Sequence, residues 1–396
     1  MDHNQYREQL AAHLQGSENH LPPDELATRL RRLRAGMAER ELHAVLLTNP
    51  AEIHYYSGYS TFEVSVHTAL LITANQSVLQ VPSIETGPAV TTAVCDQIIG
   101  YLWEAPETVT EPLLELLGAQ TVLGLDTWSP GLRAGLARQL EHHLGADRIR
   151  PVGDLVQRQR RVKSAYEINL LQRSADLTSI GLQAAIDCIR PGVTEQAIAA
   201  QGARALLAAG SEFMSLQPIV TSGPRTSVIH LNHSARKVSA GEPVFLEFGA
   251  AFRRYTAPMM RTAVAGDGPP GNALLRLRDL CSRLQDTLCR TMRPGHSFDE
   301  AARAAEKILA PSVDEVFFSG VFGYAVGAQF PPSWVEGTGY IARDQTPVFE
   351  PGMVFHLPLC LRQPGYRGVG LSNTVVVGTQ GARPLTDNDF TLAVRG

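Results

Sequence analysis

The chain has 396 residues, of which 44% are hydrophobic and 19% are charged, a composition that is typical of globular proteins and argues against extensive disorder. Its length exceeds the size at which a single hydrophobic core usually stops growing, so we expect two domains. With 35 basic and 39 acidic side chains the net charge is −4, which argues against a nucleic-acid or membrane surface and favours a small-molecule partner.

The cysteines and the first residues bear on the compartment of the protein. Five cysteines are scattered without a CxxC pair, and their odd number argues against a disulfide framework. The first stretch, MDHNQYREQLAAHL, is polar and lacks the apolar region of a signal peptide, and no run of about 18 apolar residues follows. We therefore expect a cytoplasmic protein with reduced thiols.

The N-terminal part of the chain is predicted to contain an extension and an α/β domain. The extension covers residues 1–24, and Asp24 is the predicted cap of the helix that follows. In residues 25–158, helical stretches such as GLRAGLARQLEHHLG alternate with short apolar strands, which predicts an α/β domain. These strands are HAVLLTN, HTALLITA, SVLQVPS and TVLGLDT.

Residues 159–396 are predicted to form an α+β domain. A long helical pattern at its start ends at Pro191-Gly192, after which helices are twice followed by strands, as in a structural repeat. The later predicted helices are TEQAIAAQGARALLAAG, NALLRLRDLCSRLQDTLCRTM and SFDEAARAAEKILA. The predicted strands include LQPIVTSG, GEPVFLEFGAAF and RYTAPMMRTAVAG.

Four segments resemble landmarks of the creatinase/aminopeptidase P/methionine aminopeptidase superfamily. They are RRVKSAYEINLLQRSADLTSIG, IRPGVTE, SGPRTSVIHLNHSARKVSAGEPVFLEFG and FEPGMVFHLPLCL. The resemblance extends from residue 25 to the C-terminus. It implies a pita-bread catalytic domain behind a creatinase-type N-terminal domain.

The metal ligands of that superfamily are mostly replaced in this chain. Its metallopeptidases carry Asp, Asp, His, Glu and Glu, and the resemblance places these ligands at Glu247, Pro258, Tyr324, Pro358 and Ser372. Two bound cations need several oxygen or imidazole donors, whereas only the first of these residues offers a carboxylate. The resemblance therefore implies no metal cofactor and favours the metal-free branch, which includes creatinase and ectoine hydrolase.

Ectoine hydrolase is the more similar of these two enzymes. The similarity lies in RRYTAPMMRT, GYAVG, FPPSWVEG and GMVFH, whereas Met260 stands where creatinase has a glutamate. We therefore expect a metal-independent hydrolase of a non-peptide C–N bond in a small amidine, guanidino or amide compound. Such a cationic or zwitterionic substrate brings its own positive charge, so the carboxylate of Glu247 alone can orient it by charge-assisted hydrogen bonds.

His230 and Glu247 are the predicted catalytic residues. The resemblance places the catalytic histidine of the superfamily at His230, and a histidine of near-neutral pKa can act first as base and then as acid. The alternative for His230 is an ordinary surface or core histidine.

Six further side chains are predicted to bind substrate, each with a structural alternative. Tyr324 can instead fill the space of a metal, His356 can be a core histidine, and Trp334 can be a packing residue. Glu336 can be a surface carboxylate, and Arg261 can serve a structural ion pair. The sixth is Phe62.

Phe62 and Tyr59 belong to the segment NPAEIHYYSGYSTFEVSVH. The resemblance implies that this segment reaches across a homodimer and closes the partner's active site, while a structural aromatic cluster is the alternative.

Besides a different hydrolase or lyase of the same fold that acts on a guanidino, amide or betaine-type compound, three rival functions remain open at this point. One is a non-catalytic pita-bread protein that binds a peptide or another partner. Another is an Xaa-Pro-type metallopeptidase with a degenerate site, and a third is a metallopeptidase whose metal is relocated to His230, His233 and His356, although these spacings match no local ligand motif.

Overall fold

The computed structural model describes residues 3–396, and the chain divides into two compact units after Gln159. The first two residues of the predicted extension lie outside the described residues. The helices of the first unit are α1 (His3–Leu14), α2 (Pro23–Glu39), α3 (Pro50–Ser57), α4 (Thr86–Thr92), α5 (Thr110–Leu116), α6 (Ala134–Leu144) and α7 (Gly153–Arg161), the last of which runs two residues past Gln159. Its strands are β1 (Ala44–Leu47), β2 (Ala69–Thr73), β3 (Ser77–Pro82), β4 (Gln97–Tyr101), β5 (Leu123–Leu125) and β6 (Ile149–Arg150).

The first unit is built on one mixed sheet with the strand order β4-β3-β2-β1-β5-β6. Successive side chains of a strand point to opposite faces, and β1 shows that both faces are covered. Val45 and Leu47 pack into one apolar cluster, and Ala44 and Leu46 pack into another. The predicted α/β class of this unit is confirmed.

Asp24 does not cap α2, contrary to the prediction. The helix begins at Pro23, and the residue before it, Pro22, makes no side-chain capping bond. Proline favours the first helical position because its φ is already helical and its missing N–H would have no partner there. Asp24 instead lies in the first turn, where its negative charge interacts favourably with the helix dipole.

The second unit contains four helices and thirteen short strands. Its helices are α8 (Ala165–Asp187), α9 (Glu195–Ala208), α10 (Asn272–Thr291) and α11 (Phe298–Leu309). Its strands are β7 (Ile219–Ser222), β8 (Pro243–Phe248), β9 (Ala251–Phe252), β10 (Tyr255–Thr256), β11 (Met259–Ala265), β12 (Gly323–Val326), β13 (Val335–Ile341), β14 (Val354–His356), β15 (Leu359–Gln363), β16 (Arg367–Leu371), β17 (Thr374–Val377), β18 (Ala382–Pro384) and β19 (Ala393–Arg395).

Two sheets and two helix pairs give the second unit its pita-bread fold. The sheets have the orders β19-β11-β8-β7 and β13-β12-β14-β17-β18, while β15 and β16 form a separate hairpin. Helices α8 and α9 pack on each other, as do α10 and α11. Side chains from α8 and α9 share an apolar core with β8 and β11, and those from α10 and α11 share another with β14 and β15. The predicted α+β class is confirmed.

The cysteines and the helices are the features that bear on the cellular location of the protein. The five cysteines are free thiols. Within residues 3–396, no helix has the length and apolar character needed to cross a membrane. The cytoplasmic location stays a prediction.

Candidate functional site

Glu247 stands near the centre of the first sheet of the second unit. In β8 it pairs with Ile219 of β7 on one side and with Met260 of β11 on the other. Its chain neighbours Leu246 and Phe248 are fully buried in the core beneath α8 and α9. Because side chains alternate along a strand, Glu247 points away from that core.

The carboxyl group of Glu247 is buried without a hydrogen-bonding partner among residues 3–396. Burial raises its pKa to about 8, and the positive charge of Arg362 opposes this shift. A buried carboxyl group without a partner favours its neutral form, and a nearby cation favours the ionised form. The carboxyl group of Glu247 can therefore form an ion pair with a positively charged group.

A chain of buried hydrogen bonds occupies the positions of two expected metal ligands, Tyr324 and Ser372. The indole Nε1 of Trp334 donates to the hydroxyl of Tyr324 at 2.8 Å. That hydroxyl lies 2.7 Å from Nδ1 of His356, whose Nε2 lies 2.6 Å from Oγ of Ser372. The backbone N–H of Met260 donates to the same Oγ at 2.7 Å. The imidazole thus joins Tyr324 of β12 to Ser372, which lies between β16 and β17 and is itself bonded to Met260 of β11.

The direction of these hydrogen bonds follows from the hydroxyl of Ser372. This residue is fully buried, and because its oxygen already accepts from Met260, its proton goes to Nε2 of His356, the remaining contact. In this arrangement His356 carries its proton on Nδ1 and donates it to Tyr324, whereas the opposite tautomer leaves the buried hydroxyl proton of Ser372 without an acceptor. Burial, with the charge of Arg261, lowers the pKa of His356 to about 3, so the ring is neutral.

In this arrangement the oxygen of Tyr324 accepts two hydrogen bonds, so its own hydroxyl proton can be donated to a ligand. Burial, with the neighbouring Glu247 carboxyl, raises the pKa of Tyr324 well above its usual value. The phenol is therefore neutral, and it stands beside the carboxyl group of Glu247.

We expect Tyr324→Phe to lower the free energy of unfolding by about 1–3 kcal/mol, because two buried donors on Trp334 and His356 lose their acceptor. Urea denaturation followed by the fluorescence of Trp334, in a Trp103→Phe/Trp128→Phe background, measures this change. The exposed Tyr366 supplies the control: Tyr366→Phe leaves the stability unchanged. Equal stability of the two variants would show that the chain of hydrogen bonds contributes nothing.

The site does not fit a pair of metal ions. The prolines at positions 258 and 358 have no donor side chain, and Tyr324 and Ser372 are engaged in the hydrogen bonds just described. Within residues 3–396, no group of three or more His, Cys, Asp or Glu side chains is arranged to hold a metal. One carboxylate, Glu247, does not replace the five ligands of a dinuclear centre.

The relocated metal site does not form either. Both ring nitrogens of His356 are hydrogen-bonded, and Nδ1 of His233 lies 2.9 Å from the carbonyl oxygen of Pro218. With His230, these residues make no metal-binding group in the described part of the chain.

His230 lies in the connection between β7 and β8. It is exposed and has a φ of 54°, a left-handed conformation that is uncommon outside glycine. The fully buried carboxylate of Glu195, at the start of α9, anchors this connection. It accepts hydrogen bonds from Ser222 at 2.8 Å and from Ser234 at 2.7 Å. No described contact joins His230 to Glu247, and its catalytic role stays a prediction.

Glu336 is not the surface carboxylate that was the structural alternative, and its predicted binding of substrate stays a prediction. It is buried in β13. Nζ of Lys163 lies 2.6 Å from one of its carboxylate oxygens, and Nη2 of Arg160 lies 3.4 Å from the other. The hydroxyl of Thr338 donates to it at 2.8 Å. Burial pushes the pKa of Glu336 up, but the charges of Lys163 and Arg160 and these hydrogen bonds outweigh burial and lower it. Its charge is thus already compensated.

Arg261 is also committed to structural contacts. One terminal nitrogen donates at 2.7 Å to the carbonyl oxygens of Met260 and Ser372. The other donates to the side chain of Asn373 at 3.1 Å and to the backbone oxygen of Asp387. Burial lowers the pKa of Arg261 to about 10, opposed by the charges of Asp387 and Asp389. The structural role is supported, and substrate binding by Arg261 stays a prediction.

The aromatic pair of the first unit separates into one exposed and one buried residue. Phe62 is 88% exposed, whereas Tyr59 is buried and donates its hydroxyl hydrogen to Glu85 at 3.1 Å. Phe62 is therefore accessible to a partner, while Tyr59 is a core residue of its own unit.

The fold and the altered ligand positions define a two-domain pita-bread protein in which residues 3–396 form no recognisable metal centre. Residues 169–379 match the metallopeptidase family M24, and residues 29–162 match the creatinase/prolidase N-terminal domain. The chain therefore belongs to metallopeptidase family M24, which confirms the predicted superfamily. The predicted metal-free branch stays a prediction.

Among similar proteins, an Xaa-Pro dipeptidase of Pyrococcus horikoshii is 24% identical over 89% of this chain and 95% of its own length. An ectoine hydrolase of Halomonas elongata is 23% identical over 92% of this chain and 96% of its own length. The crystal structure of the prolidase from Pyrococcus horikoshii OT3 has a TM-score of 0.80 at 21% identity, over 91% of this chain and 99% of that one.

The predicted hydrolysis of a non-peptide C–N bond is wrong. Xaa-Pro dipeptidases from two Pyrococcus species are among the similar proteins, and the similar structures include prolidases and another Xaa-Pro dipeptidase. The relatives are thus named for the hydrolysis of peptide bonds, and the structures, each at 21% identity, show the shared fold. The prediction rests on one similarity, to ectoine hydrolase, and on the argument that a site without metal ligands requires a substrate that carries its own cation.

Proposed function

We propose that this protein recognises short peptides of the kind its Xaa-Pro dipeptidase relatives act on, and that it does so without a pair of metal ions. The observation that carries the proposal is the replacement of the metal ligands: Tyr324 and Ser372 are joined through His356 in hydrogen bonds, and Glu247 alone remains as a carboxylate. The scaffold of a peptidase is kept while the donors for its metals are not. Binding of a peptide is the function that this arrangement supports best.

Hydrolysis of Xaa-Pro dipeptides is the second candidate, and the names of the relatives favour it. The predicted catalytic role of His230 is tested within it. Because His230 is exposed and has no described side-chain contact, His230→Ala is expected to leave the fold intact. If the wild type hydrolyses Ala-Pro and the variant does so equally well, His230 has no role in turnover.

The experiment that separates the two candidates uses metal-stripped protein and the dipeptide Ala-Pro. Calorimetry in the presence of a chelator measures binding, and mass spectrometry with and without Mn²⁺ measures turnover. We expect saturable binding that the chelator does not weaken. Turnover that requires Mn²⁺ would support the dipeptidase and contradict metal-free recognition, and an absence of binding under all conditions would reject both.

The proposed assembly is a homodimer, in keeping with the family resemblance. Phe62 is the candidate contact because its side chain is exposed in the first unit. We expect light scattering to give the mass of two chains, and Phe62→Ser to shift the equilibrium towards one chain. A single-chain mass for the wild type at all concentrations would contradict the dimer.

A further inference from the structure

The face of β15 opposite its core side carries Cys360 and Arg362. Leu359 and Leu361 alternate with them and are fully buried in the core beneath α10 and α11. Because side chains alternate, Cys360 and Arg362 point the other way. The structure thus gives β15 one apolar face and one face that carries a thiol and a guanidinium group.

This face of β15 meets the face of β8 that carries Glu247. The Sγ atom of Cys360 lies 3.2 Å from the Sδ atom of Met260, and the guanidinium carbon of Arg362 lies 6.0 Å from the centre of the Phe245 ring. An apolar cluster of Ile219, Phe245, Met260 and Cys360 joins the two strands. We call the group that these side chains form with Glu247 and Arg362 the β8–β15 recess.

The side chains on this face are buried, but slightly less completely than those on the core face of the same strands. Phe245, Glu247, Cys360 and Arg362 each keep between 4% and 7% of their surface exposed. The alternating Leu246, Leu359 and Leu361 keep none. One face of each strand is thus fully buried in a core, while the other keeps a small accessible surface.

The recess contains an acidic side chain, Glu247, and a basic one, Arg362, which do not form an ion pair with each other. Arg362 is 7% exposed, and its buried Nε has no hydrogen-bonding partner. Neither Arg362 nor Glu247 forms an ion pair within residues 3–396. Burying a cation without an anion costs several kcal/mol, so a ligand that supplies a carboxylate would relieve this cost.

We propose that the β8–β15 recess binds a zwitterion, with Arg362 holding its carboxylate and Glu247 holding its cationic nitrogen. This inference rests on the proposed function and specifies its ligand: a short peptide or amino-acid derivative with both termini free. A guanidinium group matches a carboxylate through two parallel hydrogen bonds. The ring of Phe245 and the side chains of Ile219 and Met260 contact the hydrocarbon part between the two charges.

Three related peptides test which charge each residue binds. Ala-Pro carries both charges, N-acetyl-Ala-Pro only the carboxylate, and Ala-Pro amide only the ammonium group. We expect Arg362→Met to weaken the binding of Ala-Pro and N-acetyl-Ala-Pro by about 100-fold and to leave the amide unchanged. Glu247→Gln is expected to weaken Ala-Pro and its amide and to spare N-acetyl-Ala-Pro.

Two further variants control for folding and for general effects of charge. Arg276→Met removes an exposed arginine and should leave all three affinities unchanged. Arg362→Lys retains the charge without the planar guanidinium, and an intermediate loss is expected. Thermal denaturation shows whether each variant is folded.

The outcomes separate this inference from the proposed function. If Ala-Pro binds and neither Arg362 variant weakens it, the zwitterion site is wrong while peptide recognition stands. The non-peptide zwitterion γ-aminobutyrate covers the opposite case: its binding through Arg362 and Glu247, without binding of Ala-Pro, would keep the site and reject the peptide. If neither compound binds, both are overturned.

Discussion

Replacing Glu336 by Gln is expected to lower the free energy of unfolding by about 3–5 kcal/mol, because a buried charge that loses its partner is left uncompensated. The side chain of Lys163 is fully buried, and its Nζ lies 2.6 Å from the carboxylate of Glu336. Arg160 is almost fully buried on the other side of the same group. Urea denaturation of the wild type and the variant measures the difference.

The pH dependence of this difference follows from the lowered pKa of Glu336. A carboxyl group whose pKa is lower in the folded state stabilises the fold above its ordinary pKa, and this stability is lost as the pH falls through the folded value. The difference between the wild type and Glu336→Gln is therefore largest near neutral pH and shrinks in acid. The exposed Glu350 gives the control, since Glu350→Gln should change stability by less than about 0.5 kcal/mol. If Glu336→Gln lowers the free energy of unfolding by no more than the control does, the buried ion pairs do not stabilise the fold.

Replacing Glu247 by Gln is expected to stabilise the protein, increasingly so as the pH rises. The pKa of Glu247 is raised from 4.5 to about 8 by burial, so the folded state must release a proton at a cost that the unfolded state does not pay. This cost is therefore absent from the wild type below pH 4.5, and it lowers the free energy of unfolding as the pH rises towards 8. At pH 8 the variant, which stays neutral, is expected to be more stable by roughly 3–5 kcal/mol.

Denaturation of both proteins at several pH values between 4 and 9 tests this expectation. Glu315→Gln, at an exposed position, controls for the general effect of removing one charge. A constant difference across the pH range would mean that Glu247 is ionised in the fold, already paired with a cation such as Arg362.

The local pattern of the sequence predicts much of the fold of the second unit. The apolar run before Glu247 and the run through Met259 and Met260 form the antiparallel strands β8 and β11. The helix through TEQAIAAQGARALLAAG begins after Thr194, which caps α9 through its side chain. Such signals are contained within a few residues, so they can be read without the tertiary structure.

Short strands and proline-initiated helices were harder to predict. Strand β6 has two residues, and β4 is partly exposed, so neither shows a strong apolar pattern. At Pro23, the preference of proline for the first helical turn outweighed the capping tendency of Asp24.

The residues that organise the site depend on distant partners. Glu336 pairs with Lys163 across 173 positions of the chain, and Glu195 holds Ser234 across 39 positions. The sequence contains only a weak signal for Arg362. It is a charged residue that alternates with leucines in a buried strand, but its position next to a turn obscures this pattern. A single sequence identifies such side chains but not the charges they meet.

Metal titration tests the absence of a dinuclear centre most directly. Metal-stripped protein is titrated with Mn²⁺ by calorimetry, and the metal retained after dialysis is counted by elemental analysis. We expect no saturable binding of two ions per chain at micromolar concentrations, and the same result for Glu247→Gln. Two retained ions per chain, lost in Glu247→Gln, would contradict metal-free recognition and restore the metallopeptidase.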